Sequence, residues 1–206
     1  MSTDTDEADR NAAHNTAMKA LKTERDAMMA EMREGSGLLM VHTGDGKGKS
    51  TAAFGLIIRA LGWGQQVAVV QFIKGKWITG ERQFFRRFHD QMRFHIMGEG
   101  FTWETQDRAR DIAAAEAAWT VVRELLQTEG LNLLVLDELN IALRYEYLDR
   151  AQVIADLKAR RPELTVCVTG RTAHPDLIEA ADLVTEMTLV KHPFQQGVKA
   201  QRGVDF

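Results

Sequence analysis

The chain has 206 residues, of which 45% are apolar and 27% charged, and a net charge of −3. That length suits one globular domain with an appendage, the composition excludes a disordered chain, and the acidic balance argues against broad electrostatic attachment to nucleic acid. One cysteine, Cys167, excludes a disulfide framework and a thiolate metal cluster; no run approaches a membrane span and the polar opening MSTDTDEADR lacks a signal-peptide core, so a cytoplasmic protein is expected.

Residues 9–34 are rich in Ala, Met, Lys, Arg and Glu. Met18, Leu21, Met28 and Met32 recur near one face of the helix this predicts, which ends before Gly35-Ser36-Gly37. Residues 1–35 therefore read as a helical arm, partly flexible, and 36–206 as the main domain. A lone amphipathic helix needs a surface to lie on, and methionine suits an irregular apolar one.

Residues 38–51, LLMVHTGDGKGKST, run an apolar strand into a glycine-rich turn that ends in Lys-Ser-Thr before a helix predicted over 50–61. This is the pattern of a phosphate-binding loop. Its glycines let backbone N–H groups curl around an oxyanion, Lys49 supplies a point charge, Ser50 offers a hydroxyl to Mg²⁺, and the following helix directs its positive end at the phosphates. The expected ligand is a nucleoside triphosphate. One position departs from the pattern: Thr43 stands six residues before Lys49, where a glycine belongs, and Gly44 and Gly46 sit closer in.

Further strands are predicted at 66–72, 92–96, 131–136, 164–169 and 182–188, separated by helices at 82–88, 106–127, 138–144, 150–160 and 174–181. The alternation predicts a parallel sheet covered by helices on both faces. In the 106–127 helix, Ile112, Ala115, Trp119, Val122 and Leu126 follow helical spacing and belong to the core. Ligands of such sheets bind beyond the carboxyl ends of the strands, where Thr43, Asp137 and Thr169 fall.

Asp137 and Glu138 end the apolar run LLVLDE, and either carboxylate can hold Mg²⁺ opposite Ser50 or Thr51. The alternative is that Asp137 only caps the next helix. Thr169-Gly170-Arg171 closes another strand on the same edge and offers a guanidinium to a triphosphate. The cations Lys74, Lys76, Arg82, Arg86 and Arg87 read either as a further anion contact or as a solvated helix face. Phe101 and Trp103 stand close together in a glycine-bearing loop, where they suggest a surface for a flat ligand or else plug the core. The six histidines lack zinc-site spacing. Cys167, inside the apolar run 164–168, reads as a small buried hydrophobe.

Six blocks in order, TGDGKGKSTAAFG (43–55), GEGFTW (98–103), VLDELN (135–140), TGR (169–171), VKHPF (190–194) and AQRGVDF (200–206), resemble the CobA/BtuR-type corrinoid adenosyltransferases. The resemblance covers about residues 12–206. It implies a phosphate-loop NTPase-like, RecA-like α/β fold, a homodimer, and transfer of the 5′-deoxyadenosyl group of MgATP to the Co(I) of cobalamin or another corrinoid with release of triphosphate. ATP then lies reversed along the loop, so that C5′ rather than the γ-phosphorus meets the nucleophile. Gly44, Asp45, Gly46, Lys47, Gly48, Lys49 and Ser50 cradle the phosphates under this resemblance. Thr51 and Glu138, with Ser50 and Asp137, supply the Mg²⁺ shell. Phe101 and Trp103 displace the lower axial ligand of the corrinoid, Met97 lines the same face, and Arg171 and His192 contact ATP or triphosphate. A flavoprotein reductase supplies the electron, and the arm folds over the corrinoid. Other readings of the loop are a phosphoryl-transferring or ATP-hydrolysing enzyme, which releases ADP, and a nucleotide-gated corrinoid carrier.

Overall fold

The computed structural model describes residues 3–32, 35, 37–73, 79–97 and 107–206. Phe101 and Trp103, with Lys74, Lys76 and the two glycines of the 98–103 block, lie outside the described residues. The chain divides into two compact units, the first up to Gly35 and the second from residue 36.

The first unit is a single helix, α1 (Thr3–Glu31). It starts six residues before the predicted boundary because the acidic residues there, Asp6 and Glu7 among them, suit the positive end of a helix. Its apolar side chains Met18, Leu21, Met28 and Met29 are all exposed, as is Met32 just beyond it.

The second unit carries a six-stranded sheet in which every pairing is parallel. The strands are β1 (Leu39–Thr43), β2 (Gln66–Gln71), β3 (Met92–Ile96), β4 (Leu131–Asp137), β5 (Thr165–Thr169) and β6 (Leu183–Glu186), in the order β3-β2-β4-β5-β1-β6. All six lie where the apolar runs predict them. Strand β6 is shorter than its run because the chain turns at Met187, whose N–H donates to the Thr43 carbonyl and whose own carbonyl accepts from Gly46.

Side chains alternate across the sheet, as strand geometry requires. Val67, Val69, Leu133, Val135 and Cys167 face α2 (Lys49–Gly62) and α3 (Gly80–Phe85), meeting Ala53, Phe54, Ile57 and Phe85. Ala68, Val70, Leu134, Leu136, Val166 and Val168 face the other layer, built from α4 (Arg108–Leu126), α5 (Leu139–Arg144), α6 (Arg150–Lys158) and α7 (Pro175–Ala180). Helix α4 buries Ala115, Ala118, Trp119, Val122, Leu125 and Leu126 on one stripe, while Ile112 is only partly covered at its first turns. Each large side chain on that stripe contributes about 1.5–3 kcal/mol by leaving water. Helices α4 and α6 begin on aspartate caps, with Asp107 accepting from the Arg110 N–H and Asp149 from the Gln152 N–H.

Strand β5 lies between β1, which leads into the glycine-rich loop, and β4, which ends in Asp137. Every strand of the parallel sheet ends on the same edge. Thr43, Gln71, Asp137 and Thr169 are therefore brought together there, although they are far apart in sequence.

Candidate active site

The loop 44–48 connects β1 to α2 and has the shape its glycines allow. Gly44 and Gly48 have φ of 91° and 113°, in the left-handed region that costs other residues strain. A Cβ on Gly46 would lie 2.6 Å from the Thr188 carbonyl oxygen, and one on Gly44 2.5 Å from that of Met187. The glycines are needed on both counts: the loop turns sharply, and it rests against the chain leaving β6. Thr43 takes the place of the missing glycine without strain, because it is still in β1, and its hydroxyl accepts a hydrogen bond of 2.9 Å from the Ala173 N–H.

Lys49 is the first residue of α2 and is buried. Its ammonium donates to the carbonyls of Gly44 (2.7 Å) and Gly46 (2.6 Å), so it lies folded into the loop. Burial lowers its pKa from the ordinary lysine value, Glu138 partly offsets this, and Arg171 adds to it. Those interactions put Glu138, Arg171, Asp45 and Lys47 within electrostatic reach of the same ammonium.

Asp137 is the hub of the edge. It is fully buried, and its carboxylate accepts from Ser50 Oγ (2.7 Å) and Thr169 Oγ1 (2.8 Å) on Oδ1 and from Gln71 Nε2 (2.8 Å) on Oδ2. Because the Ser50 hydroxyl spends its proton on Asp137, its lone pairs remain available to a cation. Thr51, one residue on, is exposed on α2. The capping role for Asp137 is not what forms: Glu138 occupies the N-cap of α5, makes no side-chain cap bond, and has φ of 64°. A glutamate held left-handed at the end of a buried strand stores strain, and such strain collects at functional sites.

The turn after β5 is held from two sides. Glu138 N–H donates to Thr169 Oγ1 (3.1 Å), and Asn140 Nδ2 donates to the Gly170 carbonyl (2.9 Å). Gly170 has φ of 129° and packs so closely that a Cβ would lie 2.8 Å from the Cβ of Asn140. Asn140 is buried, and its Oδ1 has no hydrogen-bond partner. Arg171 follows, exposed.

The remaining predicted residues lie at different distances from this centre. Lys47 forms an ion pair with Asp205, a residue the sequence offers only within the block 200–206. His192 accepts from the Phe194 N–H at 3.1 Å, capping the short turn Pro193–Gln196, and its field reaches Asp205. Met97 follows β3, donates its N–H to the Gln71 carbonyl (3.1 Å), and packs on the α4 layer. Cys167 is buried as expected, with its thiol pushed up to about 12 by burial and then by Asp137. Gln71 escaped the sequence reading, although the signal existed: it is a polar residue ending an apolar strand and pairs in register with Asp137.

A parallel α/β sheet, a glycine-rich loop opening a helix, and a hydroxyl–carboxylate pair beside the loop lysine define a phosphate-loop nucleotide-binding protein. The model of the family described as ATP:corrinoid adenosyltransferase BtuR/CobO/CobP matches residues 35–206, and the chain belongs to that family. It is 56% identical over 198 residues to a corrinoid adenosyltransferase of Pseudomonas aeruginosa, covering 96% of this chain and 98% of that one. A Sinorhizobium corrinoid adenosyltransferase is 54% identical, covering 95% and 92%. The corrinoid adenosyltransferase CobA of Salmonella typhimurium is 46% identical, covering 90% and 94%.

Proposed function

We propose that this protein transfers the 5′-deoxyadenosyl group of ATP to the cobalt of a corrinoid substrate such as cobalamin. The Co(I) lone pair attacks C5′, a Co–C bond forms, the C5′–O bond breaks, and its electron pair leaves with triphosphate. Cobalt becomes formally Co(III), and no general base is needed. The observation that carries the reading is the phosphate loop, in which Lys49, Ser50 and Asp137 converge at the head of α2. Gly44 and Gly46 pack on the backbone of 187–188, and the turn they make opens at the positive end of α2, which suits a polyphosphate.

Lys49 moves from the Gly44 and Gly46 carbonyls to phosphate oxygens on binding, and Lys47 and Arg171 offset charge as it builds on the leaving group. The oxygen donors at Ser50 and Asp137 fit a hard cation such as Mg²⁺. Phosphate and water oxygens would complete the shell of such an ion. When bound, Mg²⁺ neutralises triphosphate charge. Ser50, already bonded to Asp137, is the hydroxyl assigned to the ion, and Glu138 and Thr51 are assigned to its outer shell.

Phe101 and Trp103 belong to the segment after β3, and Met97, at its start, stands on the carboxyl edge of the sheet. They are assigned to the corrinoid, where displacing the lower axial ligand makes cobalt easier to reduce. A flavoprotein reductase is the assigned electron donor. A homodimer is assigned because β6 is an edge strand with exposed Leu183 and Val184, the kind of surface that proteins cover. The arm 1–35, with its exposed methionines, is assigned to covering bound corrinoid.

The test is anaerobic mixing of protein, MgATP and chemically generated cob(I)alamin, following cobalt absorbance and phosphate products. A light-sensitive alkylcobalamin with stoichiometric triphosphate is the expected result; ADP without alkylation would replace this reading with phosphoryl transfer.

A further inference from the structure

The ion pair between Lys47 and Asp205 joins the phosphate loop to the segment 201–206. Most surface ion pairs contribute little and signify less. This one differs in how its carboxylate is held. Asp205 Oδ2 accepts the Gln201 N–H at 2.7 Å, and the Asp205 N–H donates to the Gln201 carbonyl at 2.8 Å. The Gly203 N–H closes the same turn onto the Phe206 carbonyl at 2.8 Å, with Gly203 at φ of 81°. The carboxylate is thus fixed by its own backbone at the protein surface, with its side chain about one-fifth exposed and that of its partner Lys47 about half exposed. Lys47 sits between Gly46, whose N–H is tied to the Met187 carbonyl, and Gly48, which starts the left-handed entry to α2.

We propose that Asp205 is a built-in competitor of the polyphosphate: its carboxylate occupies Lys47 when the loop is empty and takes Lys47 back from the leaving triphosphate. The inference rests on the adenosyl-transfer reading and deepens it. A loop that must release an intact triphosphate faces a problem that a kinase loop does not, since the product carries every phosphate contact the substrate had. A tethered carboxylate weakens the product complex without lengthening the reaction path. Asp205 answers to Lys47: the hydrogen bond from that ammonium is the first cause of its lowered pKa, followed by the Gln201 N–H. His192 lies within electrostatic range of the same carboxylate, so the segments 190–194 and 200–206 come together at Asp205.

The experiment measures binding of inorganic triphosphate by titration calorimetry to the wild-type chain, Asp205→Asn and Asp205→Glu. It is paired with alkylcobalamin formation by the same preparations. Asp205→Asn should bind triphosphate more tightly by about threefold to tenfold, the scale of removing one partly screened like charge. The gain should shrink in high salt, and turnover should become limited by release, with kcat and KM for ATP falling together. Asp205→Glu keeps the charge and should restore the wild-type affinity. Equal or weaker triphosphate binding by Asp205→Asn would overturn the proposal and leave Asp205 as a brace for the loop. If the wild-type chain makes no alkylcobalamin, the functional reading itself fails, a separate outcome from a wild-type chain that alkylates while Asp205→Asn shows no tighter binding.

Discussion

Thr43 shows how a departure from a sequence pattern is resolved by a single hydroxyl. The glycine it replaces usually opens the phosphate loop, but here β1 continues through that position and the turn begins at Gly44. Thr43 Oγ1 then accepts the Ala173 N–H and so ties the loop to the turn that carries Arg171. Both groups are buried, so losing the hydroxyl leaves an N–H without a partner, at a cost of about 1–3 kcal/mol. Thr43→Val should lower stability by that amount in urea unfolding at nearly unchanged side-chain volume, and Thr43→Ser should recover most of it. If Thr43→Val unfolds at the wild-type midpoint, the hydroxyl is not what holds the turn. The residue scale is also where the sequence is least legible. Lys49, Ser50 and Asp137 announce themselves by motif, whereas Gln71, Asn140 and Asp205 act on partners 66, 30 and 158 residues away in the chain. No local pattern encodes those pairings; only the parallel sheet order and the return of the chain past the loop create them.

At the scale of elements the sequence speaks more clearly, because a fully buried parallel strand must be an apolar run and a covering helix must repeat its apolar positions. Leu133 to Leu136 and Val67 to Val70 are such runs, and Trp119, Val122 and Leu126 such a stripe. Where β6 ends early, the cause lies in tertiary contacts: it gives up residues 187–188 to support Gly44 and Gly46. The turn after β5 is the element whose geometry is most tightly specified. Gly170→Ala must place a Cβ at 2.8 Å from Asn140 Cβ and 3.3 Å from Glu138 Oε2 while keeping φ of 129°. Strain and overpacking together predict a loss of about 2–4 kcal/mol by chemical unfolding. Weaker ATP binding should accompany it, since Arg171 moves with the turn. A Gly170→Ala chain with wild-type stability would show that the turn relaxes freely and that its close packing carries no constraint.

At the scale of the whole molecule, the chain is a helix and a sheet domain, each compact in itself. Helix α1 has the composition of a good helix former, yet its described side chains are exposed, including Met18, Met28 and Met29. A helix that buries little of its apolar stripe draws little stability from packing, and isolated helices of this kind are marginal in water. Deleting residues 1–35 should therefore leave the unfolding temperature of the sheet domain within about 2 °C of the intact chain, since among the described residues that domain builds its core clusters from its own side chains. The arm's apolar stripe needs a partner, and the methyl groups and ring of a corrinoid offer apolar area between its amide side chains. The same deletion should raise KM for cob(I)alamin about tenfold or more, leaving the dissociation constant for MgATP within about twofold, because every residue assigned to the phosphates lies in 43–206. Isothermal titration with MgATP and steady-state kinetics with varied corrinoid separate the two effects. Loss of MgATP binding on deletion would mean that the arm completes the nucleotide site, and an unchanged KM for the corrinoid would remove the arm from substrate binding altogether.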